Sequence, residues 1–143
     1  MGEILLNKIQ ITPLRRISTQ GGDVLKVLMK EEDSFKNFGE VYFSEVHANA
    51  VKAWKFHKRM TLNLIVPVGM VRFVFCEERN GVMEFRTIEI GSENYARITV
   101  SPGIWFGFKG IAKGVSLVLN IADIMHDPDE VERRAVEDIT YNW

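Results

Sequence analysis

Lys55 and His57 stand two residues apart in VKAWKFHKRMTLNLIVPVG, a β-like run that ends on Gly69. Side chains of an extended strand alternate faces. Val51, Ala53, Lys55 and His57 therefore share one face, and Lys52, Trp54, Phe56 and Lys58 the other. Such a pair could hold a metal, move protons, or simply line a barrel. One imidazole is too small a donor set for a transition metal, and a protonated amine repels the cation. His47 and His126 stand at no ligand spacing that would add to it. Proton transfer suits the pair better: imidazole titrates close to neutrality, and burial weakens an amine's hold on its proton until it can act as a base or attack a keto group. The plainer use of Lys55 is as an ammonium paired with Glu40, Glu45 or a ligand phosphate. On this strand alone, either Lys55 and His57 or Trp54 and Phe56 can face the interior.

The elements that would position these residues are short. EVYFSEV, TLNLIVPV, MVRFVFCEE, VMEFRTIEI, YARITVS and VSLVLNIA are rich in Val, Ile, Phe and Thr, and glycine turns separate them. That spacing predicts an antiparallel sandwich or barrel. PVGMV and ERNGVM are hairpin signals, and Asn80-Gly81 supplies the positive φ angles of a tight type I′ turn. DSFKNFG, from Asp33 to Gly39, predicts a single turn. HDPDEVERRAVED predicts a short helix over Asp127 to Glu137, with Asp127 as N-cap, Pro128 in the first turn, and Arg133 and Arg134 later, where they suit the dipole. Trp54 and Phe56 require an apolar cover from a second sheet or a partner subunit, and on that ground a homodimer is expected.

At 143 residues the chain suits one domain, 1–143, with a core of useful size. It is 46% hydrophobic and 26% charged, with a formal net charge of −1. No basic excess is available to neutralise nucleic-acid phosphates, so a nucleic-acid partner is not expected. The start, MGEILLNKIQITPLRR, lacks a signal-like apolar run, and no segment is long enough to span a bilayer as a helix. Cys76 is the one cysteine, which rules out an intrachain disulfide. Together these features lead to the expectation of a cytoplasmic protein without a membrane partner.

FGEVYFSEV, VKAWKFHKRMTLN, SPGIWFGFKG, HDPDE and ITYNW, preceded by ITPLRRIS and GGDVLKVL, follow one another in a sensible order. In that order they resemble the cupins of the dTDP-4-dehydrorhamnose 3,5-epimerase family, its short members above all. The resemblance implies an all-β jelly-roll barrel, usually dimeric and cytoplasmic, that acts on nucleotide-linked 4-keto-6-deoxy sugars with neither metal nor cofactor. Metal-binding cupins carry histidines where this chain has Lys55 and Phe106. By the same resemblance the epimerase base falls at Lys55, its neighbouring arginine at Lys52, its enolate-stabilising lysine near Leu62 and its tyrosine acid near Asn120.

Three catalytic roles have thus lost their usual residue, and the likeness supports fold and pocket better than 3,5-epimerisation itself. Lys55 and His57 are the catalytic candidates. Lys52 and Arg72 are candidates for phosphate, with Lys58 and Arg59 nearby, and Trp105 and Phe106 for a base or the core. Tyr42 is a pocket hydroxyl or an ordinary strand aromatic, and Asn120 a ligand contact. The functions that follow are an epimerase or isomerase of carbohydrate biosynthesis, within it a 3,4-ketoisomerase, or a non-catalytic sugar-nucleotide binder.

Overall fold

Over residues 3–143, which the computed structural model describes, the β-rich runs become antiparallel strands. They are β1 (Gln10–Pro13), β2 (Arg16–Ile17), β3 (Val24–Leu25), β4 (Glu40–Val46), β5 (Val51–His57) and β6 (Leu62–Val68), then β7 (Met70–Arg79), β8 (Val82–Gly91), β9 (Ala96–Val100), β10 (Trp105–Gly110), β11 (Ser116–Ala122) and β12 (Val131–Arg133). One five-stranded sheet has the order β1-β9-β6-β11-β4 and the other β12-β5-β10-β7-β8, while β2 and β3 form a separate pair. From β4 to β7 and again from β8 to β12 the chain crosses between the two large sheets, as in a jelly roll. We call these the β4 sheet and the β5 sheet.

The core lies between them. Leu62, Leu64 and Val66 of β6 meet Phe73 and Phe75 of β7, joined by Ile98, Phe106 and Val118, all buried. Each such side chain stabilises the fold by roughly 1.5–3 kcal/mol. Asn80 and Gly81 both have positive φ, 54° and 77°, and they close the β7–β8 hairpin in register Arg79↔Val82, as that dipeptide predicts. Asp33 and Ser34 lie in a single turn closed by the Phe35 N–H donating to the Glu32 carbonyl at 3.0 Å.

The helix expected over Asp127 to Glu137 does not form. Asp127 does cap a turn, its Oδ1 accepting from the Asp129 N–H at 3.0 Å with Pro128 in place, but the turn is a single 3-10 unit, Pro128–Glu130. The chain then extends as β12 along the free edge of β5, in register Val131↔His57 and Arg133↔Lys55. Trp54 and Arg134 exchange backbone hydrogen bonds at 2.9 and 3.1 Å. A second 3-10 turn, Val136–Asp138, follows. The edge of β5 offers unpaired backbone groups that outcompete i→i+4 bonds in so short a segment.

Candidate active site

The face that β5 presents to the interior is set by a bulge. Its partner β10 pairs Phe106 with Lys55 and then Gly107 with Ala53, so Trp54 has no opposite residue. A Cβ at position 107 would stand 2.4 Å from the Ala53 Cβ, which explains the glycine where two strands press together on their outer side. The bulge resets the alternation. Ala53 and Trp54 both pack outward, with Val74, Cys76 and Ile139, while Lys52, Lys55 and His57 line one internal cavity of about 210 Å³. Strict alternation had set Lys52 apart from Lys55; the structure unites them.

His57 is buried and held from behind. Its Nδ1–H donates to Glu130 Oε1 at 2.5 Å, and the other carboxylate oxygen accepts from the backbone N–H groups of Arg59 and Met60, each at 3.2 Å. Burial pushes the Glu130 carboxyl up, but the hydrogen bonds from His57 and from the Arg59 and Met60 backbone outweigh it and hold the carboxyl below its usual range. With Nδ1 committed as donor, Nε2 is the acceptor nitrogen. It is buried and has no hydrogen-bond partner among the described residues. Burial also lowers the His57 pKa, against the opposing pull of Glu130. This is a neutral imidazole, fixed in one tautomer and poised to take a proton.

Beside it stands a row of cations. Burial lowers the Lys55 pKa, and Arg133 and Lys52 lower it further. Arg133 lies opposite Lys55 on β12, and Arg134 borders the cavity while its guanidinium lies over Trp105 on the outer face. Among the described residues none of Lys52, Lys55, Arg133 and Arg134 forms an ion pair with a carboxylate. The Lys52 amine instead donates to the Glu45 carbonyl at 3.0 Å. Lys55 is thus paired with neither Glu40 nor Glu45. The opposite wall comes from the β4 sheet and carries Tyr42, Ser44, Leu62 and Asn120. Asn120 Nδ2 donates to the Val118 carbonyl and to Ser44 Oγ at 3.2 and 3.3 Å, and Asn120 is the register partner of Tyr42. Phe106 closes the floor, stacked between His57 and Phe75.

Two candidates sit elsewhere. Arg72 points out of the barrel, donating to Glu89 Oε2 and to the Trp143 carbonyl, each at 2.7 Å. Trp105 lies on the outer face against Phe56, with the Arg134 guanidinium 4.5 Å above its ring. Both alternate outward where their neighbours turn in, a phase that the core register decides. Sequence reasoning missed Glu130, Arg133 and Arg134 as site residues because it read them as a helix. The available signal was a carboxylate and two arginines in a segment rich in turn formers. Among the described residues no three His, Cys, Asp or Glu side chains gather as a metal site, and the metal-free expectation is left to direct measurement.

A dTDP sugar isomerase from Desulfovibrio desulfuricans is 35% identical in sequence, with a TM-score of 0.88 over 94% of this chain and 90% of that one. This chain belongs to the dTDP-sugar isomerase and epimerase cupins. No family model matches it. A probable low-salt glycan biosynthesis epimerase from Haloferax volcanii is 26% identical over 133 residues, 87% of this chain and 85% of that one. The fold is also that of a variant of the sugar 3,4-ketoisomerase from Thermoanaerobacterium thermosaccharolyticum in complex with TDP-4-keto-6-deoxyglucose, at 18% identity and a TM-score of 0.73 over 88% and 87% of the two chains. On β5 the His57 imidazole lies two residues beyond Lys55, the position that the resemblance gives to the epimerase base.

Proposed function

We propose that this protein is a nucleotide-sugar epimerase or isomerase of carbohydrate biosynthesis, acting next to the ketone of a dTDP-linked 4-keto-6-deoxyhexose. The observation that carries the reading is the unpartnered Nε2 of His57, set in a cavity by the Nδ1–Glu130 bond. A carbon acid beside a ketone needs such a base, together with positive charge near the enolate oxygen. His57 takes the proton, Glu130 stabilises the imidazolium that results, and the Lys55 ammonium faces the oxygen that gains charge. The sugar occupies this cavity. An open groove lined by Phe43, Glu45, His47 and Ala50 continues from it, sharing Ser44 and Lys52. The nucleotide lies along that groove, and Lys52 at the junction, with Arg133, meets the diphosphate.

Incubation with TDP-4-keto-6-deoxyglucose in deuterated water tests the reading. Solvent deuterium should enter the carbon next to the ketone, and His57→Asn should slow its entry by roughly 10²–10⁴-fold. If TDP binds but the unmutated protein exchanges no deuterium, the protein is a non-catalytic binder. Homodimerisation and a cytoplasmic location belong to the same proposal. The dimer loses its first ground, because the chain's own Ile139, Tyr141 and Trp143 cover Trp54, which is 2% exposed. Exposed apolar side chains remain for a second copy, among them Val41 and Phe43 on β4.

A further inference from the structure

We propose that the segment Asp127–Arg133 is a strap which the substrate's own phosphates fasten to β5, so that the diphosphate completes the site at His57 as well as holding the nucleotide. The inference rests on the proton-transfer reading above and adds to it a requirement for the anion. Its basis is a conflict of charge at one register position. β12 brings Arg133 opposite Lys55, and Lys52 lines the same cavity. Three cations thus meet where a strand of three residues joins the edge of β5. Among the described residues no carboxylate forms an ion pair with any of them. Burial lowers the Lys55 pKa, Arg133 and Lys52 add to that effect, and Glu130, which opposes them, is already bonded to His57.

The strap is held differently along its length. Past Arg134 the chain is anchored by apolar packing, with Ile139, Tyr141 and Trp143 gathered on Trp54. No residue of Asp127–Arg133 belongs to either apolar cluster. That stretch is tied to β5 by polar contacts: the β12 pairing, the Lys58 N–H donating to the Glu130 carbonyl at 2.7 Å, and the bonds of the Glu130 carboxylate. Segments with little apolar burial are the first to open locally, and opening here also relieves the repulsion among the three cations. It would draw Glu130 away from His57, since the Pro128–Glu130 turn runs directly into β12. An imidazole without that carboxylate loses its fixed tautomer and the support of its charged form.

A diphosphate among the cations reverses the balance. It meets Arg133 together with Lys52 and Lys55 only when the strap is docked, so it binds that state more tightly and shifts the population toward it. Binding energy from a part of the substrate remote from the ketone is thereby used to assemble the base. Arg133 is in this sense a positioning residue for His57, acting through Glu130.

Amide exchange and turnover test the inference separately. Unmutated protein, Arg133→Gln and Arg133→Lys are compared with and without pyrophosphate by hydrogen exchange of the Lys58 and Arg134 amides, whose acceptors are the Glu130 and Trp54 carbonyls. Saturating pyrophosphate should slow both amides by about tenfold in the unmutated protein and in Arg133→Lys. Arg133→Gln should be as slow without the anion, because the repulsion is gone. The turnover arm uses the methyl glycoside of 4-keto-6-deoxyglucose, which carries no phosphate, in deuterated water. Pyrophosphate added in trans should raise its deuterium exchange by about tenfold in the unmutated protein, through kcat rather than KM. Arg133→Gln should exchange the glycoside at that raised rate without pyrophosphate, yet show a higher KM for TDP-4-keto-6-deoxyglucose.

A merely structural role for Arg133 would leave Arg133→Gln less protected than the unmutated protein, and that result overturns the proposal. Amide exchange that pyrophosphate leaves unchanged in the unmutated protein overturns it too. Where TDP-4-keto-6-deoxyglucose exchanges deuterium, glycoside exchange that pyrophosphate fails to raise does the same, and the proton-transfer reading stands. If the strap amides respond as expected but neither sugar exchanges, the fastening stands and the proton-transfer reading falls.

Discussion

In the proposed reaction His57, backed by Glu130, is the base, and its ionisation is readable from its surroundings. Burial lowers the His57 pKa, so kcat/KM should rise with pH with its midpoint below the ordinary imidazole value of about 6.5. A midpoint clearly above that value in the pH–rate profile would exclude His57 as the base. The stability linkage has the same sign. Both groups hold their protons less tightly in the folded chain than in the unfolded one. Stability is therefore full above the unfolded pKa values and lost as pH falls through the folded ones. Lys55 differs in kind: its ammonium is desolvated and faces two other cations. Lys55→Met should raise the melting temperature at neutral pH while lowering turnover, as scanning calorimetry and the deuterium assay would show. A lowered melting temperature would mean that the amine has a stabilising partner.

At the scale of elements, the segment from Asp127 onward decides whether the site exists. It supplies Glu130 to His57 and Arg133 to the cavity, then crosses the outer face of the β5 sheet and covers Trp54. Trp54 Nε1–H donates to the Val136 carbonyl at 3.1 Å, and its ring lies 5.2 Å from that of Trp143. Arg72 anchors the same segment at Trp143, and Thr87 hydrogen bonds with the Tyr141 hydroxyl at 2.7 Å. Trp54→Ala should cost about 3–5 kcal/mol, read as a shift in the denaturant midpoint. The loss should carry activity with it, because the strap that positions Glu130 and Arg133 loosens. A variant of undiminished stability would show that the segment holds its place without the indole.

For the whole molecule the proposal predicts a linkage between ligand and stability. TDP should raise the melting temperature, by mass action worth about 2.7 kcal/mol at a hundredfold excess over its dissociation constant. Lys52→Ala should weaken that shift, whereas Arg72→Ala, whose guanidinium lies outside the cavity, should leave it unchanged. Equal losses from both would remove the site described here. A homodimer is expected by sedimentation at micromolar concentration. Phe43, 61% exposed on β4, is the residue whose change to Lys should shift it toward monomer. Elemental analysis should find no stoichiometric transition metal, since about one zinc, iron or nickel per chain would demand a donor set other than His57 with Glu130.

Sequence alone determined the class of fold and singled out the residue to which the proposal gives the chemistry. Val-, Ile- and Phe-rich runs between glycines, the Asn80-Gly81 turn, and Lys55 with His57 on one side of one strand are local properties. Period-two alternation and turn chemistry read them directly. Tertiary structure decided what that periodicity could not reach. The bulge at Trp54 resets the phase of β5 and joins Lys52 to Lys55, because a strand's alternation holds only as far as its next irregularity. Glu130 meets His57 across 73 residues of chain. Its segment, patterned like a helix start, became a turn and a strand because the open edge of β5 satisfied its backbone better than one isolated helical turn could.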